Sequence, residues 1–134
     1  MTRLLPILTF LIIACGGKSE EKKETTQTTQ TTQTTTNLAE EGKKLFQTKG
    51  CVACHYADKE RSAKLVGPGL KDIHKERSEE WLIAMITNPD SMLKNDSIAK
   101  ALLKEYGTPM TNQNVSVEEA KAIIEYIKSL SGGS

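Results

Sequence analysis

Cys51, Cys54 and His55 form a C-x-x-C-H motif. This motif is the attachment signature of a c-type haem, in which each cysteine sulfur adds to one vinyl group of the porphyrin. The histidine that follows is then held beside the ring with a nitrogen facing the iron. The sequence therefore predicts one covalently attached haem c, with Cys51 and Cys54 as its thioether anchors and His55 as an axial ligand.

A C-x-x-C pair also occurs in redox disulfides and in zinc sites. A thioredoxin-like pair needs a βαβ pattern nearby, and no run of alternating polarity in this chain suggests a strand. A tetrahedral zinc site needs four ligands, whereas the sequence holds only one further cysteine, Cys15. Both alternatives are therefore weaker than haem attachment.

The first residues of the chain predict export. Arg3 gives a positive start, and Leu4 to Ala14 is an apolar run of 11 residues, shorter than the about 20 residues that span a bilayer. The run ends in I-I-A-C, which resembles a bacterial lipobox, where cleavage precedes the cysteine and the thiol is lipidated. We therefore expect a lipoprotein signal peptide at residues 1–14 and a lipid on Cys15. An ordinary signal peptide cut after Cys15 is the alternative.

A change of composition separates a tether from a folded domain. Residues 16–36 contain mixed charges and a Thr/Gln repeat but no apolar side chain, so residues 15–36 predict a disordered tether that begins at the lipidated cysteine. Residues 37–134 form one predicted domain with 14 Lys and Arg against 14 Asp and Glu, which gives no basic excess for nucleic acid. Since a domain of this size is marginal on its own core, a buried haem would supply the missing apolar body.

The sequence of this domain predicts helices joined by loops. The first helix begins at an N-cap, Asn37, and runs to about Lys49, with Gly50 just past its end. Three more helices follow from capping residues and apolar spacing, and they are Ser78 to Asn88, about Ser97 to Tyr106, and Ser116 to about Leu130. Residues 56–77 and 107–114 are predicted loops.

With these features in this order, the chain closely resembles the class I, single-haem c-type cytochromes. The resemblance covers about Leu38 to Leu130. Its parts are a first helix with Gly42 and Phe46, the C-x-x-C-H motif, V-G-P-G-L at 66–70, T-P-M at 108–110 and E-E-A-K-A-I-I-E-Y-I at 118–127. It implies a small all-α cytochrome c fold of about four helices wrapped round one haem, with the N- and C-terminal helices crossing near Gly42.

The resemblance also implies roles for three further residues. The Pro68 carbonyl would accept the second ring N–H of His55, which fixes the orientation of that ligand. Trp81 would donate its indole N–H to a haem propionate, and a core anchor is the alternative. Met110 would be the sixth iron ligand, although many relatives have proline after this methionine where this chain has Thr111.

Other side chains compete with Met110 for the sixth position. Met92, in a predicted short loop after an Asn-Pro pair, is the second choice. Met85 lies on a helical apolar stripe and suits the core, and His74 suits the surface. Lysines such as Lys49 either surround the haem edge and steer an acidic partner or form a solvated face.

A His/Met-ligated haem leaves no open iron position, so the sequence predicts an electron-transfer protein and not an enzyme. We expect a membrane-tethered carrier, exported and lipid-anchored, with its haem domain in the periplasm or another extracytoplasmic space. Its expected partners are membrane or periplasmic redox proteins such as oxidases and reductases, and its domain is expected to be monomeric. The alternatives are a haem sensor, small-ligand binder or weak peroxidase with an open sixth site, and an obligate subunit of a larger oxidase or reductase.

Overall fold

Six α-helices and one 3₁₀ turn make up a computed structural model that describes residues 24–63 and 65–131. The helices are α1 (Glu24–Thr48), α2 (Ile73–Glu76), α3 (Glu79–Thr87), α4 (Pro89–Asn95), α5 (Ser97–Tyr106) and α6 (Val117–Ser129), and the 3₁₀ turn is Cys51–Ala53. No strand occurs in these two ranges. The all-α prediction is confirmed, with two helices more than the sequence indicated.

The first and last helices cross at a glycine. The contact between α1 and α6 is the most extensive between any two elements of the described chain. A Cβ atom on Gly42 would overlap the backbone carbonyl of Ala122, so only glycine lets the two helices approach this closely. Next to the crossing, the rings of Phe46 and Tyr126 pack with centroids 5.8 Å apart. The predicted crossing is therefore present at the predicted residues.

Helix α1 begins earlier than the sequence suggested. Asn37 lies inside the helix instead of capping it, and residues 24–36 are helical where a disordered tether was expected. The stretch contains no glycine or proline before Gly42, and threonine and glutamine each cost less than about 0.7 kcal/mol in a helix. Once the packed part of α1 has formed, propagation towards the N-terminus needs no new nucleus.

The ends of three other helices follow the predicted caps. The Ser78 hydroxyl accepts from the Trp81 amide at the start of α3, and α5 ends at Gly107, which holds a φ of 72°. At α6 the Ser116 hydroxyl accepts from the Glu119 amide while the Glu119 side chain accepts from the Ser116 amide, which completes the predicted capping box.

Helices α2 and α4 lie in segments that the sequence predicted as loops. Asn88 ends α3 and at the same time caps α4, because its side chain accepts from the Ser91 amide. Pro89 follows as the first residue of α4, a position that needs no N–H donor. Met92 therefore lies on a helix and not in a loop.

The core is small and gathers under α6. One cluster of buried residues comes from α1, α6 and the segments beside them, and it consists of Phe46, Ala57, Val115, Ala120, Ile123 and Ile127. Four further apolar residues are buried, namely Leu82 of α3, Ala99 of α5, and Ala122 and Ile124 of α6. In the part of the chain that the structure describes, no helix is long and apolar enough to cross a membrane. The predicted signal peptide and Cys15 lie outside the described residues.

Candidate functional site

A tight turn presents the C-x-x-C-H motif at the end of α1. Gly50, in the left-handed region with a φ of 78°, ends the helix and leads into the 3₁₀ turn. The backbone amides of Cys54 and His55 both donate to the Cys51 carbonyl, at 3.2 and 3.0 Å. Both thiols are free and half-buried, and burial raises the pKa of Cys51.

The ring of His55 is held by the segment that follows Val66. Nδ1 of His55 lies 2.9 Å from the Pro68 carbonyl oxygen. Since a carbonyl can only accept, Nδ1 must carry the proton, which leaves Nε2 with a free lone pair. This is the contact that the resemblance implied for Pro68, and it fixes the tautomer that a metal ligand needs.

Backbone bonds set that segment in place beside the motif. The Gly67 amide donates to the Cys54 carbonyl and the Leu70 amide to the Tyr56 carbonyl, both at 2.8 Å. A Cβ atom on Gly67 would lie 2.5 Å from Cε1 of His55, so the chain passes directly against the imidazole. Burial lowers the pKa of His55, and the hydrogen bond that Nδ1 donates to the Pro68 carbonyl offsets only part of that effect. The imidazole is therefore neutral near pH 7, as metal binding requires.

A cavity of about 260 Å³ opens beside this turn. Its walls are mainly apolar and come from the attachment turn, the loops and helices α2 to α6, among them Cys51, Cys54, His55, Leu70, Leu82, Leu102, Ile124 and Ile127. Met110, in the loop between α5 and α6, lines the same cavity. The structure thus brings together the two cysteines, the histidine and the predicted methionine.

The other candidates for the sixth iron ligand differ in whether they line the cavity. Met92 is not among the residues that line the cavity. Met85 does line it, so its predicted place on an apolar stripe faces the cofactor space. His74, which the sequence assigned to the surface, is half-buried and also lines the cavity.

Trp81 lines the cavity, but its polar group is used elsewhere. Its indole N–H donates to Oδ1 of Asp96 at 3.1 Å. The indole has one donor, and in this structure that donor has an internal partner, whereas the resemblance implies a haem propionate. Because Asp96 also caps α5, Trp81 joins α3 to the start of α5.

Two arginines on the cavity wall were not singled out from the sequence. Arg61 forms ion pairs with Glu105 at 3.0 Å and with Glu76 at 3.5 Å. The Arg77 guanidinium lies 5.6 Å from the centroid of the Trp81 ring. Both arginines line the cavity. The only sequence feature that could have indicated this is their position on either side of the G-P-G segment.

These residues fit a haem. Apolar walls suit the macrocycle, basic side chains at the same cavity suit its carboxylates, and two free thiols adjoin a histidine whose Nδ1 is already bound. Within the described residues, no group of three or more acidic, histidine or cysteine side chains offers a separate metal site. The fold and the site together define a haem-binding protein of the c type.

Comparison with known proteins gives the family. The family model described as Cytochrome c matches residues 39–131, so the chain belongs to the cytochrome c family and carries one covalently bound haem c. It is 40% identical over 91 residues to cytochrome c-551 of Pseudomonas denitrificans, a match that covers 66% of this chain and 96% of that protein.

Two further relatives extend the comparison. The solved structure of a cytochrome c from Rhodothermus marinus superimposes with a TM-score of 0.65 at 35% identity, over 72% of this chain and 78% of that one. Cytochrome c oxidase subunit 2 of Bacillus subtilis is 27% identical over 114 residues, which cover 74% of this chain and 28% of the subunit. The class I assignment of the sequence is confirmed.

Proposed function

We propose that this protein is a membrane-tethered electron carrier. One electron at a time would pass through a haem that is joined to Cys51 and Cys54 and ligated by His55 and Met110. The observation that carries the proposal is the convergence of these four side chains on one mainly apolar cavity.

Each residue has a separate task in this proposal. The thioethers at Cys51 and Cys54 prevent loss of the cofactor from a small domain. Pro68 accepts from Nδ1 of His55 and so keeps Nε2 aimed at the iron position. Met110 would supply the sixth ligand and would exclude water and small ligands, since the iron would then have no open site. The haem itself supplies the reversible one-electron chemistry.

The partners follow from the same chemistry and from one relative. A protein with part of its sequence like this chain is an oxidase subunit, so we include a terminal oxidase among the expected electron acceptors. A lipid on Cys15 would hold the carrier beside such membrane complexes and raise its effective concentration there. The haem domain would then lie in the periplasm or another extracytoplasmic space. We also expect this domain to be monomeric.

A redox-titrated absorption spectrum of the purified holoprotein tests the proposal. The expected result is a low-spin ferric haem with the weak near-infrared band of methionine sulfur, and a single one-electron transition on reduction. The denatured protein should have the mass of the polypeptide plus one haem, and acid extraction into organic solvent should not remove the haem. A five-coordinate, high-spin iron that binds cyanide or nitric oxide quickly would instead support a sensor, ligand binder or weak peroxidase.

A further inference from the structure

The loop that carries Met110 has little structure of its own. Between Gly107 and Ser116 no helical residue occurs, and every residue from 107 to 114 except Met110 is exposed. Its internal bonds are short-range: Nε2 of Gln113 donates to Oγ1 of Thr111 at 2.7 Å, and the Asn114 amide donates to Oδ1 of Asn112 at 2.8 Å. Such bonds shape the loop but do not attach it to the domain.

Two hydrogen bonds join this loop to other elements of the described chain. Nδ2 of Asn112 donates to the Thr87 carbonyl at 3.4 Å, which is long for a hydrogen bond. Nζ of Lys49 donates to the Asn114 carbonyl at 2.9 Å. The second bond is shorter and carries a charge, and such bonds are roughly twice as strong as neutral ones.

Lys49 itself is held firmly at the end of α1. Its amide donates to the Leu45 carbonyl at 2.8 Å, and its side chain is only 25% exposed. Nζ also lies 3.0 Å from Oε2 of Glu119, the same oxygen that accepts from the Ser116 amide at 2.8 Å. The ammonium is therefore shared between the exit of the Met110 loop and the first turn of α6.

Lys49 also lies two residues before Cys51. The helix end that presents the haem-attachment turn is thus the same point to which the methionine loop is fastened. Through the Lys49 side chain, a displacement of the attachment turn would therefore also displace the Met110 loop, and the reverse.

We propose that Lys49 is a positioning residue for the sixth iron ligand, which holds the loop of Met110 against the end of α1. The proposal rests on His55/Met110 ligation as proposed above. Without the Lys49 contact the loop opens more often, and each opening exposes the iron to external ligands. Lys49 thus limits ligand exchange in addition to joining two helices.

Lys49→Gln tests this role in the holoprotein. Glutamine keeps most of the side-chain length but removes the charge that strengthens the bond to the Asn114 carbonyl. We expect cyanide to bind the oxidised variant about tenfold faster or more than the wild type. The near-infrared methionine band should also disappear at lower temperature, before global unfolding. Lys49→Arg retains a charged donor and should restore most of the wild-type behaviour.

Lys128 provides a matched control. Its side chain is 31% exposed and also bridges two elements, with Nζ 2.9 Å from Oε2 of Glu79 and 2.7 Å from Oε1 of Glu125. It touches no residue of the Met110 loop in these contacts. Lys128→Gln should therefore lower the unfolding temperature to a similar degree and leave the cyanide rate unchanged.

A second variant covers the case in which Lys49→Gln does not fold or bind haem. Glu119→Gln keeps a capping-box acceptor but removes the charge that fixes Lys49, so cyanide binding should accelerate severalfold. Wild-type cyanide rates in whichever of the two variants folds, or equal acceleration in Lys128→Gln, would overturn the role of Lys49. Failure of the underlying ligation would look different, because the wild type would then lack the methionine band.

Discussion

His55 shows how much a single side chain depends on residues far along the chain. The motif alone predicts that it binds iron, but its tautomer is set by Pro68, 13 positions later. The close passage of Gly67 against the ring comes from backbone bonds to the motif. Family resemblance supplied the Pro68 contact, whereas the fit of Gly67 and the cavity positions of Arg61 and Arg77 depend on loop paths that no periodicity encodes.

Met110→Ala should remove the sixth ligand and open the iron. The near-infrared band should disappear, cyanide should bind quickly, and the reduction potential should fall, since axial ligands help to set haem potentials over about 0.8 V. Absorption spectra and a redox titration measure all three effects.

Two other methionines serve as controls for that experiment. Met92→Ala should keep the band because Met92 does not line the cavity. Met85→Ala should also keep it, while lowering the unfolding free energy for the lost apolar contacts, by about 2–5 kcal/mol if the bound haem buries this half-exposed side chain. Loss of the band in Met92→Ala would transfer the ligand role to that residue and leave the electron-carrier proposal standing.

At the scale of helices, capping residues predict most of the observed ends, with Asn37, which lies inside α1, as the exception. Ser78, Gly107 and Ser116 mark ends that the structure reproduces, because each cap satisfies backbone groups locally. The Asn88-Pro89 pair predicts the end of a helix, although the same two residues also start α4. Composition does not predict the early start of α1, because it reports the absence of apolar side chains for a core, and a helix that is already nucleated can extend without them.

Gly42→Ala separates helix propensity from packing. On an isolated helix this change would stabilise by about 1 kcal/mol. At the crossing, the new methyl group would overlap the Ala122 carbonyl, and overpacking costs about 1–3 kcal/mol or more. We therefore expect a lower unfolding free energy, measured by denaturant titration of the holoprotein.

Gly107→Ala is the comparison for that variant. Nothing lies within 4 Å of the added methyl group, but the φ of 72° disfavours alanine, at about 1–2 kcal/mol. The unfolding free energy of Gly107→Ala should therefore fall although the contact between α1 and α6 is unchanged. A stability gain in Gly42→Ala would show that the helices cross less closely than described.

Asp96 predicts an acid-dependent contribution to stability at the junction of α3 and α5. Its pKa lies below the usual value because the ionised carboxylate accepts from the Ala99 amide and, to a smaller extent, from the Trp81 indole. A group whose pKa is lower in the folded state stabilises the protein above the unfolded pKa of about 3.9 and loses this contribution as the pH falls through the folded value. The advantage of wild type over Asp96→Asn should therefore shrink as the pH is lowered from neutral.

Unfolding free energies at several pH values measure that advantage. Asp90→Asn, an exposed change in the first turn of α4, controls for a general loss of negative charge. A difference between wild type and Asp96→Asn that does not vary with pH would contradict the assignment.

At the scale of the whole molecule, the cofactor completes the fold. The buried cluster is small, and many half-buried apolar residues, among them Leu70, Leu102 and Ile86, present part of their surface to the cavity. The sequence indicated this shortage, since a domain of about 98 residues has little core of its own. The sequence alone could not predict which residues surround the cavity, because they come from five helices and the loops between them.

The N-terminal part of α1 bears on how the haem domain would lie relative to a membrane. Residues 24–36, as part of α1, span about 20 Å at 1.5 Å per residue and are continuous with the helix that presents the haem-attachment turn. If Cys15 carries a lipid, this helix would restrict the orientations of the haem domain more than a flexible chain would.

Cys15→Ser should abolish lipidation without disturbing the haem domain, because the family match begins only at residue 39. The variant should accumulate as a larger precursor or, if another peptidase cuts it, appear as soluble protein. Membrane fractionation and intact mass distinguish these outcomes from the wild type. Gly16→Ser, which keeps the cysteine, should remain with the membrane fraction. An unchanged fractionation and mass for Cys15→Ser would rule out the lipid anchor, while an unchanged haem spectrum would leave the electron-carrier proposal intact.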